Sequence, residues 1–454
     1  MKGSGVSWLG VIPEHWKVAK VRDVAKVING FPFDSSQFST SQGYPLIRIR
    51  DLNKKRTATR YNGPFVDVAK VEPGDVLIGM DGDFNVGKWL GQEVALLNQR
   101  MCCIRSEEHI TEEFLGYVLP QPLKEINDVT WSTTVKHLAS GQVERIAFAL
   151  PPLQERSDIV RFLDHADRLS RRYIRVKQTL RSLLEEERQL IVQRAVTRGV
   201  QGQVRFKPSG LDWLGEIPEH WQIRRAKYLF REVDDRSTTG TEELLSLRMY
   251  QGLVPHREVS TTPISNEALV GFKKIEPGQM VMNRMRAAIG MFGVARQPGL
   301  VSPDYAVFEA EKTINIEFFV NLFKTPAART VLRLESKGLG TGSSGFLRLY
   351  TDRFGTIKLP VPPRAEQDSI MRFIESETQE VKRAEEQVNR EISLLREYRG
   401  RLIADVVTGK LDVREAAAGL PREVMEAKPL DEMEEDLAED EEPAEDAELE
   451  AEET

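Results

Sequence analysis

Two stretches of the chain carry apolar residues at alternating steps of three and four. After Pro151-Pro152 these are Ile159, Phe162, Ala166, Leu169, Tyr173, Val176, Leu180, Leu183 and Leu190, interrupted at Glu187. After Pro362-Pro363 they are Ile374, Val381, Ala384, Val388, Ile392, Leu395, Tyr398 and Leu402. A mean spacing of 3.5 residues is the seam of a coiled coil, and proline suits the first turn of a helix. The pattern predicts two long helices, within 151–200 and 362–412. The competing reading, a helix packed on a globular domain, fits their length and charged flanks less well. Period-two and β-rich runs predict strands at Leu46–Leu52, Asp75–Met80, Ala95–Arg105, Leu244–Tyr250, Gln279–Met285 and Asp304–Ala310. Glu112–Pro120 and Ile316–Lys324 read as short helices.

The sequence also repeats itself. Residues 8–16 read WLGVIPEHW and residues 213–221 read WLGEIPEHW, identical at eight of nine positions. LPPLQERSDIVRFLD (150–164) is matched by VPPRAEQDSIMRFIE (361–375), and Glu72-Pro73-Gly74-Asp75 by Glu276-Pro277-Gly278-Gln279. The spacing far exceeds that of a solenoid repeat, so this is a duplicated domain. The order of parts is an N-terminal arm (1–16), a head (17–150), a spacer helix (151–200), a linker with the repeated arm (201–221), a second head (222–361), a distal spacer helix (362–412) and an acidic tail (413–454) expected to be disordered. The heads have diverged more than their flanks, as expected if each reads something different. The second helix can bury its seam only by running back along the first. The pair is therefore expected to be antiparallel, roughly 65–70 Å long at most, with each arm near a helix end and an approximate two-fold axis. The fold class is α+β, with two mixed α/β heads joined by two antiparallel coiled-coil helices.

Charge changes the picture. The formal net charge is −7. Residues 421–454 hold 17 Asp and Glu against only Arg422 and Lys428, so the body before them is mildly basic, about +8. A basic body suits a polyanionic partner, although an ordinary charged surface with a solvating tail would look the same. No apolar run reaches membrane-spanning length and the N-terminus lacks a signal-peptide core, so a cytoplasmic protein with no membrane partner is expected. Cys102 and Cys103 are adjacent, which rules out a disulfide framework, and no Cys/His spacing suggests zinc.

Catalytic motifs are wanting. Gly82 to Lys88 fits G-x4-G-K, but Trp89 follows where a phosphate-binding loop has Ser or Thr, and the second head lacks the lysine. A strand-to-strand loop is the better reading. No G-x-S-x-G, H-E-x-x-H, N-P-P-[YF] or D-P-P-[YF] sequence occurs. His15 and His220 belong to the repeated arms and are expected to pack or hydrogen-bond.

The doubled W-L-G-x-I-P-x-H-W arm, the EPGD motif before a strand and the P-P-x-x-E element opening a long helix resemble the specificity subunits of Type I restriction–modification systems. The resemblance covers nearly all of residues 3–412; the acidic tail lies outside it. It implies that each head is a target recognition domain for one half of a split, asymmetric site in double-stranded DNA. It also implies that the helices set the spacing and dock two methyltransferase subunits, with restriction/translocase subunits joining. S-adenosylmethionine, ATP and Mg²⁺ would serve those partners, leaving this chain without a cofactor or catalytic residue of its own. On this reading the candidate DNA contacts in head one are Asp83, Asn85, Lys88, Trp89, Asn98, Gln99, Arg100, Thr133, Thr134 and Lys136. In head two they are Asn283, Arg284, Arg286, Ser302, Tyr305, Thr341, Ser343, Ser344 and Arg348. Asn and Gln suit adenine, Arg suits guanine, and Ser, Thr and Lys suit phosphate. Structural roles compete at each position, and Asn98 and Asn283 are equally good strand caps. The alternative is a coiled-coil scaffold whose two heads bind proteins; a self-contained enzyme is disfavoured by the missing motifs.

Overall fold

A computed structural model describes residues 1–130, 136–202, 204–249, 251–260, 264–339 and 346–420. Two helices dominate, α1 (Leu153–Arg198) and α2 (Arg364–Val407). The chain divides into two compact units, Met1–Ile174 with the segment from Ser393 onward, and Arg175–Ile392. Each unit holds one head, one arm, and parts of both long helices.

Each head is built on a four-stranded antiparallel sheet. In the first unit its strands are β1 (Lys26–Asn29), β2 (Val76–Gly79), β3 (Val86–Lys88) and β4 (Met101–Arg105), in the order β3-β2-β4-β1. In the second they are β5 (Phe230–Val233), β6 (Met280–Asn283), β7 (Phe292–Val294) and β8 (Tyr305–Ala310), in the order β7-β6-β8-β5. The two orders are the same. A two-stranded ribbon joins the ends of each head: Lys17–Lys20 with Ala147–Leu150, and Gln222–Arg225 with Lys358–Val361. Several predicted strands are shorter than expected. Ala95–Arg105 splits at a turn into Ala95–Leu97 and β4, and Leu46–Leu52 ends in a 3-10 turn over Ile49–Asp51. The turn before β2 uses Gly74 at φ 91°, with the Asp75 carboxylate accepting the Glu72 N–H at 2.9 Å. Before β6, Gly278 at φ 86° and the Gln279 amide oxygen do the same at 2.8 Å. Only glycine takes that conformation without cost.

The arms explain why two sequence-remote motifs repeat together. In the first unit Trp16, fully buried, packs in one core with Ile159 at the start of α1 and Val406 and Val407 at the end of α2. His15 Nε2 lies 2.8 Å from Glu155 of the P-P-x-x-E element. In the second unit Trp221 packs in one core with Ala195 and Val196 at the end of α1 and Ile370 near the start of α2. Glu366 there takes His220 Nε2 at 2.6 Å and the Trp221 indole N–H at 3.1 Å. Each unit thus places its arm where one long helix ends and the other begins, as the order of parts predicts. Gly199 and Gly409 terminate the helices at φ 74° and 71°. A Cβ on Gly409 would come within 2.5 Å of the Pro13 ring.

Within each unit the long helices run antiparallel. In the first, the start of α1 shares a core with the end of α2, and Arg399 donates to Asp167. In the second, Lys177 pairs with Glu391 at 2.6 Å and Arg188 with Glu385 at 3.6 Å, so ascending residues of α1 meet descending residues of α2. On α2 most of the predicted seam is buried or half-buried, including Ile374, Val381, Val388 and Ile392, whereas Tyr398 is exposed. On α1 the prediction requires correction. Leu169, Tyr173, Val176, Leu180, Leu183 and Leu190 are exposed, Leu183 by 56% and Leu190 by 66%. The shielded stripe is instead Leu163, Asp167, Ser170, Ile174, Lys177, Leu184, Arg188, Ile191 and Ala195, which has the same heptad spacing but a mixed composition. Ion pairs across a seam favour one register over its neighbours.

One further expectation is corrected. Residues 413–420, assigned to the tail, are folded: Val413 and Ala417 are buried and Arg414–Ala418 is helical. The acidic segment 421–454 lies outside the described residues. The G-x4-G-K stretch is the strand-to-strand segment expected of it: it turns from β2 into β3 and ends within that strand, so it lacks the helix N-terminus that a phosphate-binding loop uses. Cys102 and Cys103 are fully buried in β4, and burial pushes the Cys102 thiol up to about 12. No described helix is long and apolar enough to cross a membrane.

Candidate nucleic-acid interface

Most of the described sequence-predicted residues of each head gather at one end of its sheet, whereas Lys88 and Trp89 lie at the other end, beside the start of β2. In head one, three segments meet there: the loop after β2, the turn before β4, and the segment 136–138. Backbone hydrogen bonds lock them. Met101 N–H bonds to Asn98 O at 3.0 Å, Met80 N–H to Arg100 O at 2.9 Å, Leu138 N–H to Met80 O at 2.7 Å and Gly82 N–H to Lys136 O at 3.1 Å. Head two repeats the scheme. Tyr305 N–H bonds to Ser302 O at 3.0 Å, and Leu349 N–H to Arg284 O at 2.9 Å. Strand register fixes the equivalence, because Gly79 faces Met101 as Asn283 faces Tyr305. It follows that Arg100 corresponds to Asp304, Met80 to Arg284, and His137 to Arg348.

The side chains at these equivalent places differ. In head one the Arg100 guanidinium is 57% exposed and donates to Asp81, whose carboxylate also meets His137 Nδ1 at 2.7 Å. Burial raises the Asp81 carboxyl, but the hydrogen bonds from His137 and Arg100 outweigh it and hold the group below its ordinary value. In head two the polarity is reversed. Arg348, only 20% exposed, donates to Asp304 at 2.6 Å, and Asp304 is 60% exposed. Arg348 also lies over the Tyr350 ring at 5.5 Å.

Other predicted residues fall into place around these pairs. Asp83, Asn85 and Gln99 are exposed on the same loops. Asn98 and Asn283 take the capping role: Asn98 Oδ1 accepts the Arg100 N–H at 3.3 Å, and Asn283 Oδ1 accepts those of Met285 and Arg286 at 3.0 and 3.2 Å. Ser302 Oγ accepts the Asp304 N–H at 3.4 Å. Arg286 and Tyr305 are half-buried, Arg286 in the loop after β6 and Tyr305 at the start of β8. Thr133, Thr134, Thr341, Ser343 and Ser344 lie outside the described residues.

Three candidates are turned inward. Trp89 is 1% exposed in the core of head one, its indole N–H on the Glu93 carbonyl at 2.8 Å, so it supports the loop and offers nothing to a ligand. Lys136 donates to the Asn127 carbonyl at 2.8 Å and to its side chain at 3.0 Å, closing the end of helix Pro120–Val129. Arg284 pairs with Glu232 at 2.6 Å and is 17% exposed. Lys88 leans toward Glu113 at 3.6 Å. Asp81 and His137, absent from the sequence-derived set, are the groups that orient Arg100. Their one sequence signal is a basic residue just before a leucine in both heads, His137-Leu138 and Arg348-Leu349.

The chain matches the model of the Type I restriction modification DNA specificity domain over residues 13–178 and 251–393, and it belongs to that family. It is 30% identical over 425 residues to the Type I restriction enzyme EcoBI specificity subunit of Escherichia coli, spanning 88% of this chain and 87% of that one. It is 22% identical over 432 residues to the putative type I restriction enzyme MjaX specificity subunit of Methanocaldococcus jannaschii, spanning 89% and 96%. A chain from a structure described as the basis of complex assembly and conformational transition of the type I R-M system superposes with a TM-score of 0.56 at 14% identity, covering 88% of this chain and all of that one. At that identity the likeness is one of fold.

Proposed function

We propose that this chain supplies the DNA sequence specificity of a Type I restriction–modification complex, each head reading one half of a split site. The observation that carries the reading is the repeated loop platform. Two backbone hydrogen bonds recur at equivalent turns of the same sheet end in both heads, Met101 to Asn98 with Tyr305 to Ser302 and Leu138 to Met80 with Leu349 to Arg284, while the polar side chains on those turns differ. A shared frame with different donors and acceptors is what two readers of different base sequences require. Asp83, Asn85, Gln99 and Arg100 in head one, and Asp304 with Arg286 and Tyr305 in head two, form the proposed contact set.

The exposed heptad stripe of α1 favours a helical partner. Apolar residues at a and d spacing on a solvated face are a ready surface for another helix. On the family reading, methyltransferase subunits occupy it, two per complex, and restriction/translocase subunits join them. S-adenosylmethionine, ATP and Mg²⁺ then act on those partners, and this chain contributes recognition. Footprinting of the complex on its target tests the proposal. Two protected blocks separated by an unread gap are expected. One short continuous block, or protection independent of sequence, would contradict it.

A further inference from the structure

Register and backbone hydrogen bonds make Arg100 and Asp304 the same position in two heads, immediately before the first residue of β4 and of β8. Both side chains are exposed by more than half, and both are held from behind by a shielded partner of opposite charge. In head one the shielded group is Asp81, 13% exposed; in head two it is Arg348, 20% exposed. One platform therefore presents a guanidinium and the other a carboxylate. We infer that these two positions read bases of opposite hydrogen-bonding polarity, Arg100 a guanine in one half-site and Asp304 a cytosine in the other. The inference rests on the reading of this face as the DNA-facing one.

The chemistry follows from the base edges. Guanine shows two adjacent acceptors, N7 and O6, in the major groove, which match the donor fork of arginine. Adenine pairs its N7 acceptor with an N6 donor that repels one arm of the fork. Thymine offers a single acceptor beside a methyl group. A carboxylate has only acceptors, and near a polyanion it is unfavourable unless it meets a donor. Cytosine N4 provides one. Adenine N6 does too, but its neighbouring N7 repels the second carboxylate oxygen. Asp81 fixes the direction of the Arg100 fork, and the His137 contact in turn holds Asp81. Arg348 does the same for Asp304 while stacked near Tyr350. Asp81 and Arg348 are positioning residues on this account.

The test is selection from a randomised duplex pool by the full chain assembled with its methyltransferase partners, with the bound or methylated sites sequenced. The wild-type motif should hold a guanine in one half and a cytosine in the other at positions that respond to single variants. Arg100→Ala should cut discrimination for that guanine by about 10- to 100-fold and leave every other position unchanged. Asp304→Ala should do the same for the cytosine, and Asp304→Asn should shift the preference toward adenine, whose N6 and N7 suit an amide. Asp81→Asn should weaken the guanine preference without lowering affinity for random DNA. Melting temperatures of the exposed Arg100 and Asp304 variants should match the wild type, which separates a reading defect from misfolding. An equal loss on all sequences after Arg100→Ala would make it a phosphate contact and overturn the inference. If Gln99→Ala alters the motif while Arg100→Ala and Asp304→Ala do not, the face stands and only the polarity inference fails. If none of the three alters it, the face itself is misassigned.

Discussion

Leu180→Glu with Leu183→Glu is expected to abolish assembly with the proposed methyltransferase partner while leaving the melting temperature of the isolated chain nearly unchanged. Both residues are exposed on α1, by 39% and 56%, and surface substitutions of this kind stay within about 0.5 kcal/mol. Glutamate is nearly as good a helix former as leucine, so the helix itself survives. In a helical interface the same two leucines would each contribute roughly 1.5–3 kcal/mol through burial. Placing carboxylates there also adds a desolvation cost, so affinity should fall by more than about 10³-fold. Sedimentation of the mixed subunits reads the effect directly. Val388→Glu on the buried face of α2 is the contrasting variant and should destabilise the chain alone. Undiminished assembly of the double variant would show that the stripe is not the docking surface.

Trp221→Ala should be the most damaging single truncation outside the heads. The side chain is fully buried among Ala195, Val196, Ile217 and Phe318, and its N–H is taken by Glu366. Removing a buried tryptophan costs about 3–5 kcal/mol, from lost burial and the cavity left behind. It also strips one of two partners from a shielded carboxylate. Calorimetry should show a fall in melting temperature of roughly 10 °C. A shift of only a degree or two would mean that the arm does not anchor the helix junction.

The duplication was legible because its flanks repeat almost letter for letter, and the structure gives the reason: His15 with Glu155, and His220 with Glu366, bind the arm to the P-P-x-x-E element across some 140 residues of intervening head. The central strands of both sheets, β2, β4, β6 and β8, were legible from their apolar runs, whereas the edge strands β1, β3, β5 and β7 were not. Nor was the seam of α1. Two stripes with heptad spacing lie on that helix, and periodicity alone cannot say which one faces α2. The richer stripe, from Leu169 to Leu190, lost to a mixed one whose Asp167 and Arg188 find charged partners on α2. Trp89 was misread because loop position says nothing about which way a side chain points. The Gly74 turn and the hairpin draw it into the core of head one, where the equivalent backbone position in head two holds Ala295. The positioning role of Asp81 with His137 was missed because it exists only once segments 56 residues apart are brought together.

The most direct test of the central claim, that each head reads its own half-site, is an exchange of residues 17–150 for the corresponding head of a relative with a different target, followed by mapping of the methylated adenines. The account predicts a hybrid motif in which one half changes and the other half and the gap between them stay as they were. A motif altered in both halves, or one that collapses into a single continuous sequence, would contradict it.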